Sequence, residues 1–188
     1  MKKIISFNEV EKMPDFAFRI MNIFFIVYYF FRPAGKYLQK FGIKPGSTVI
    51  DYGCGPGACL NDASSLAGKS GTVYAVDIHE LAIASVEKLI TKLRLTNVIP
   101  VLTDGNRCSL DDETADLIYA LDMFHMVKDS DSFLKELNRL TKKEGVLIIE
   151  DGHQPRKASK EKILKSGVWK IAGEEKRFLK CTPVKKIV

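Results

Sequence analysis

From residue 47 onward, short apolar runs alternate with longer stretches whose apolar residues recur at helical spacing. Strands are predicted near 47–52, 72–77, 97–102, 115–121 and 145–150. Leu81, Ile83, Ala84, Val86, Leu89, Ile90 and Leu93 share one face of a long helix, and Phe133, Leu134, Leu137 and Leu140 share one face of another near 129–142. This alternation builds a parallel sheet covered by helices on both faces, here as five strand–helix units. After the fifth strand, Ala158–Ser166 reads as one more helix. Val168–Ile171 and Arg177–Thr182 then flank Ala-Gly-Glu-Glu and read as an antiparallel hairpin closing the sheet. Before the first strand, Phe16–Phe31 is aromatic and apolar, and Pro33 introduces a helix over Ala34–Phe41.

The Phe16–Phe31 run is too short to span a membrane. Arg19 and Asn22 interrupt it, and Ile23–Phe31 makes about 14 Å of helix against a hydrocarbon core of about 30 Å. It reads as a core helix, as a lid over an apolar substrate or as an interfacial anchor. No transmembrane span is expected.

With 188 residues, 46% of them hydrophobic and 28% charged, the chain suits one cored domain and excludes disorder, collagen and coiled coil. Cys54, Cys59, Cys108 and Cys181 form no C-x-x-C pair, so neither a structural zinc nor a redox dithiol is signalled. Glu9, Glu11 and Asp15 precede the apolar run and no small-residue cleavage site follows it. These features argue against a secretory signal, and the expected location is cytoplasmic. The net charge of +6 is concentrated at one end: residues 155–188 carry eleven Lys or Arg against three Glu, which leaves eighteen basic and twenty acidic residues in 1–154. That skew reads either as a solvated helix with Lys-protected edge strands or as a surface for an anionic partner.

The chemistry concentrates where an apolar strand runs into Asp51-Tyr-Gly53-Cys-Gly55-Pro-Gly57-Ala58. Glycines let such a loop turn sharply and expose bare N–H groups to a nucleotide-like ligand. The spacing also satisfies the dinucleotide fingerprint, so NAD is a rival, although 188 residues leave no room for a dehydrogenase's second domain. Asp77, twenty residues beyond Gly57 at the end of the second strand, is placed to accept from both ribose hydroxyls. Asp104-Gly105 ends the third strand, where an adenine amino group would be met. Asp51 would repel a pyrophosphate but suits a cationic amino-acid moiety, which points to an adenosine ligand without phosphates.

These blocks, V-I-D-Y-G-C-G-P-G, V-Y-A-V-D-I-H, D-L-I-Y-A-L-D-M-F-H and E-L-N-R-L-T-K-K-E-G-V-L-I-I, resemble the class I S-adenosylmethionine-dependent methyltransferases. The likeness runs from about Gly46 to Thr182 and is closest to the small-molecule branch of ubiquinone/menaquinone-biosynthesis methyltransferases. It implies an α/β, Rossmann-like, doubly wound sheet of seven strands with an antiparallel C-terminal strand and helices on both faces. Residues 46–188 would form the S-adenosylmethionine-binding core and residues 1–45 a helical cap or lid, in one domain overall. The resemblance implies Gly53, Gly55 and Gly57 around the methionine part, Asp77 and Ile78 at the ribose, and Asp104 and Gly105 near the adenine. It also implies Leu121 backbone beside the cofactor, and Asp51 steadying the loop and the ammonium. Lys142-Lys143-Glu144-Gly145 stands where the family writes K-P-G-G, which alters a turn.

In open α/β sheets catalytic groups follow the carboxyl ends of the strands. Asp122 and His125 follow the fourth strand, and Glu150, Asp151 and His153 end the fifth. Methyl transfer requires alignment, with a base only for a protonated acceptor. Asp122, His125 and Asp151 are the catalytic candidates, with His125 or Asp151 as the base. Acids at these strand ends also resemble metal-dependent O-methyltransferases, whose other hallmarks are missing, so no metal is expected. His79 reads as a first-turn helix residue. The N-P-P-Y or D-P-P-Y of amino-methyltransferases acting on nucleic acids is replaced by Leu-Asp-Met-Phe. A small, partly apolar acceptor is the expected partner. An RNA methyltransferase using the basic end, or a cofactor-binding module without chemistry, are the alternatives.

Overall fold

The computed structural model describes residues 15, 16 and 35–185. Seven strands form one sheet in the order β3-β2-β1-β4-β5-β7-β6. Strands β1 (Thr48–Tyr52), β2 (Thr72–Asp77), β3 (Val98–Leu102), β4 (Ala115–Ala120) and β5 (Thr141–Glu150) pair in parallel. β7 (Phe178–Pro183) runs antiparallel between β5 and β6 (Trp169–Glu174). The helices are α1 (Gly35–Leu38), α2 (Leu60–Ala67), α3 (Glu80–Leu93), α4 (Ser130–Leu140) and α5 (Arg156–Lys165). The strand order reverses between β1 and β4, which opens a crevice at the carboxyl ends there.

Both sheet faces are buried because the central strands are apolar at nearly every position. Val49, Val73, Ala75, Leu117, Tyr119 and Ile148 face a cluster with Leu38, Phe41, Leu60, Ala63 and Val86. Ile50, Val76, Ile118, Ala120, Leu147 and Ile149 face the other cluster, with Phe133, Leu134, Leu137, Ile163 and Trp169. The period of two thus divides each strand between the two helical layers.

Three expectations are corrected. The chain from β3 to β4 contains no helix, so the five strand–helix units are interrupted at residues 103–114. Lys142–Gly145 is not a free turn: α4 passes directly into β5, and the register shifts between Ala115 and Leu117 to absorb the extra residues. Lys142 Nζ anchors that irregularity on Asp116 Oδ1 at 2.8 Å. The hairpin turns at 175–177 rather than at Ala-Gly-Glu-Glu, because Ala172–Glu174 continues β6 past a second register shift at Ile171/Gly173. The Glu175 N–H closes the turn on the Phe178 carbonyl.

The helix expected over Ala34–Phe41 is α1 followed by a 3-10 turn, Gln39–Phe41. Phe41 packs against Tyr37, Tyr119 and Phe178 and so seats this segment on β4 and β7. The Phe16–Phe31 run lies outside the described residues except for Phe16, which is exposed. No helix among the described residues is long and apolar enough to cross a membrane.

Candidate cofactor and active site

The glycine loop leaves β1 at the switch point. Gly53, Gly55 and Gly57 all have left-handed φ, at 82°, 51° and 86°, which bulky residues avoid. Their surroundings differ. A Cβ at Gly57 would stand 2.9 Å from Leu60 Cδ1 and 3.1 Å from Leu89 Cδ2, so this glycine lets α2 and α3 close together. A Cβ at Gly53 would stand 3.1 Å from Met123 Cγ, in the loop after β4. A Cβ at Gly55 would meet nothing within 4 Å among the described residues, so that side of its backbone borders open space.

Two carboxylates frame that space. Asp77, at the end of β2, accepts from the Gly55 N–H at 2.8 Å and from the His79 N–H at 2.9 Å, one on each oxygen. It therefore ties the glycine loop to the start of α3, while each oxygen keeps capacity for a further donor. Burial raises its carboxyl above the usual range, and the two backbone donors oppose that rise. Ile78 follows, half-buried, and His79 caps α3 by accepting from the Leu81 N–H. On the other side of His79, Nε2 meets Asp15 at 3.6 Å.

Asp51 is buried at 4% exposure, and the sheet register places it beside Tyr119 of β4. Burial pushes its carboxyl up to about 8; the Tyr119 hydroxyl opposes the shift and the Asp77 charge adds to it. That hydroxyl is itself buried and stops short of full hydrogen-bond geometry. A carboxyl raised this far regains its charge when a cation comes alongside. The buried acid and the space on the Cβ side of Gly55 together fit a cationic, phosphate-free ligand.

Asp104 ends β3 and faces outward. Its Oδ1 accepts from the Asn106 N–H at 2.8 Å and the Arg107 N–H at 3.3 Å, and these backbone donors lower its pKa. Gly105, buried with φ 83°, donates to Thr103 Oγ1. Leu121 is half-buried just beyond β4. The structure thus gathers Asp51, the glycines, Asp77, Ile78, Asp104, Gly105 and Leu121 along one edge of the sheet.

The candidates after β4 and β5 separate. Asp122 holds a left-handed φ of 50°, which costs a non-glycine residue on the order of 1–3 kcal/mol. Its N–H reaches the carboxylate of Glu150, which also accepts from the Tyr37 hydroxyl and pairs with Arg177 at 3.2 Å. His125 packs so closely on Gly152 that a Cβ there would lie 2.0 Å from Nδ1. Its Nδ1 is buried with no partner among the described residues, and the His153 ring stands edge-on at 4.8 Å. Burial lowers the pKa of His125, the Asp122 charge opposes this, and His153 and Lys162 add to it. The ring is therefore neutral near pH 7. Asp151 is held on one oxygen: Arg156 Nε binds its Oδ2 at 2.6 Å and Arg156 continues to Glu174 at 3.1 Å, while Oδ1 of Asp151 is buried with no partner among the described residues. No group of three potential metal ligands forms among the described residues.

Sequence reasoning missed Tyr37, Tyr119, Arg156 and Arg177. Arg156 follows Asp151 at five residues and opens a helix, which is a usable local signal. Tyr119 meets Asp51 through sheet pairing, whereas Tyr37 in α1 and Arg177 in the β6–β7 turn meet Glu150 only through the closed fold. The basic end of the chain also differs from the expected open surface. Arg156, Lys160, Lys162, Arg177 and Lys185 engage Asp151 or Glu174, Gln154, Glu150 and Asn138.

A seven-stranded sheet with one antiparallel strand, a glycine loop at the switch point and acids closing β1, β2 and β3 defines the class I S-adenosylmethionine-dependent methyltransferases. Residues 43–181 match the family described as a methyltransferase domain, and the chain belongs to that family. It is 30% identical over 126 residues to the ubiquinone/menaquinone biosynthesis C-methyltransferase UbiE of Teredinibacter turnerae, covering 66% of this chain and 51% of that protein. It is 36% identical over 80 residues to the tRNA (adenine(58)-N(1))-methyltransferase catalytic subunit TRM61 of Yarrowia lipolytica, covering 43% and 21%. Among solved structures, a SAM-dependent methyltransferase from Aquifex aeolicus superposes with a TM-score of 0.73 at 25% identity, covering 92% of this chain and 98% of that one. The chain spans between about a fifth and a half of the length of these two curated relatives.

Proposed function

We propose that the protein transfers a methyl group from S-adenosylmethionine to a small, partly apolar acceptor. The observation that carries the cofactor half is the buried Asp51 carboxyl, pushed up to about 8, at the end of the strand whose glycine loop is tied to Asp77 through the Gly55 N–H. Gly53, Gly55 and Gly57 would hold the methionine part, Asp77 and Ile78 the ribose, and Asp104 and Gly105 the adenine, with Leu121 backbone alongside. When bound, this cofactor supplies an electrophilic methyl group on a sulfonium. The protein's own contribution is alignment, a site that excludes water and, where the acceptor is protonated, a base.

His125 is the base in this reading, because its imidazole is neutral near pH 7 and stands beside the Asp122 carboxylate. Asp122 would steady the charged imidazole once it holds a proton. Asp151, engaged by Arg156, acts as a positioning residue for the chain leaving β5. Residues 1–45 serve as a cap on the core of 46–188. Asp15 at His79 and Tyr37 at Glu150 support this, since both contacts fall along the carboxyl edge of the sheet. The partly apolar acceptor is supported by Met126, which follows His125 and is 41% exposed. The UbiE relative, a C-methyltransferase of quinone biosynthesis, agrees with such a substrate.

The test is transfer of a labelled methyl group from S-adenosylmethionine into a fractionated cell extract. Label is expected in the small-molecule fraction, and label in RNA would replace this acceptor class by the one acted on by the TRM61 relative. With the labelled acceptor in hand, His125→Ala is expected to lower kcat by about 100-fold or more. A wild-type rate in that variant would remove His125 as the base.

A further inference from the structure

The chain between β3 and β4, residues 103–114, crosses from one strand to the next without a helix although it carries Asp104 and Gly105. Its polar backbone groups must find partners outside regular structure. A single pair on α4 supplies many of them. Glu136 Oε1 accepts from the Cys108 N–H at 2.9 Å. Arg139 donates from Nη2 to the Cys108 carbonyl at 3.0 Å, and from Nη1 to the Leu110 carbonyl at 2.9 Å and Asp112 Oδ1 at 2.6 Å. Glu136 holds the guanidinium in turn, at 2.8 Å on Nε and 2.7 Å on Nη2. The Arg139 carbonyl accepts from the Glu113 N–H at 2.9 Å. Both side chains are largely shielded from water, at 8% and 13% exposure.

Such a planar, multidentate fork fixes direction as well as distance, which a lysine in its place would not do. Its contacts begin at Cys108, immediately after the Asp104–Arg107 turn. Glu136 also lies close enough to Tyr52, the last residue of β1, to add to the rise that burial gives that phenol. The pair therefore holds the 108–113 chain and lies near the end of β1.

We infer that Glu136 and Arg139 are positioning residues for the nucleoside end of the cofactor, holding the 103–114 segment so that Asp104 meets the base. The inference rests on the reading of Asp104 as the adenine residue. A residue that only stabilises the fold would weaken every ligand alike. A residue that places Asp104 governs discrimination at the 6-position of the base, where adenine carries a donor and hypoxanthine an acceptor.

The experiment measures binding of S-adenosylhomocysteine and of S-inosylhomocysteine by calorimetry to the wild-type protein, Arg139→Gln and Glu136→Gln, below the melting temperature of each. The wild type is expected to prefer the adenine ligand at least tenfold, since a site built to accept a donor rejects its replacement. Both variants are expected to lose adenine-ligand affinity about tenfold. Affinity for the inosine ligand should change about threefold or less, so that the preference collapses. Variants that keep the wild-type preference, or that weaken both ligands equally, overturn the inference and leave the Asp104 reading standing. A wild type without any preference overturns both. Should Arg139→Gln fail to fold, Glu136→Gln and the exposed Asp112→Asn carry the same comparison.

Discussion

The two halves of the carboxyl edge are built by different means. Between β1 and β3 the groups that face the site are backbone and acids held by neighbouring backbone: Gly55 and His79 donate to Asp77, and Asn106 and Arg107 donate to Asp104. Between β4 and β5 the side chains are held by partners far along the chain, as Glu150 is by Tyr37 and Arg177. The first half is thus set by backbone geometry that reaches from Gly55 to Asp77, and the second by side-chain contacts that a few substitutions can rearrange and that fold alone does not define.

The largest effect expected from that contrast is on the local half. Gly57→Val combines a left-handed φ with a Cβ inside contact distance of Leu60 and Leu89. It should cost on the order of 3–5 kcal/mol of stability, the sum of backbone strain and overpacking. Urea unfolding measures it, and a loss below about 1 kcal/mol would mean that α2 and α3 relax freely around the loop.

Next comes Asp77→Ala, which removes charge-assisted bonds and strands two backbone donors. Cofactor affinity should fall by about 1.5–3 kcal/mol. Glu150→Gln, in the other half, should change it by about twofold or less while altering turnover. Equal losses in calorimetry would erase the distinction between the halves.

The last effect, the smallest when read over a single pH unit, is a slope with pH. Asp51 titrates near 8 when folded against 3.8 when unfolded, so between these values the folded chain keeps a proton that the unfolded chain has released. Stability from this group is complete below about pH 4 and is lost as pH rises through 8, by at most about 1.4 kcal/mol per unit. Asp51→Asn should flatten that part of the pH–stability profile of the ligand-free protein. An unchanged slope would show that Asp51 is ionised in the folded state.

Much of the first half is legible in the sequence. The glycine spacing, the acids closing three strands and the helix of Leu81–Leu93 are local patterns, and the fold keeps each at the position its spacing predicts. The β3–β4 segment is not legible in this way, because nothing in its own residues announces that Glu136 and Arg139 will satisfy its backbone. For Asp151, only the fold shows that its two oxygens differ, Oδ2 held by Arg156 and Oδ1 buried without a partner among the described residues.

The sequence by itself determined the strand and helix periodicity, the seven-stranded α/β class, and a loop whose glycines and acids suit a cationic adenosine ligand. These follow from steric limits and short-range spacing, which act within a few residues. Tertiary structure alone decided that Asp51 is raised by burial beside Tyr119. It also decided that Asp122 is strained against Glu150 and that Arg156, Lys160 and Arg177 pair with Asp151, Glu174 and Glu150. Desolvation and ion pairing depend on which distant residues the sheet brings together, and that is fixed only when the chain has closed.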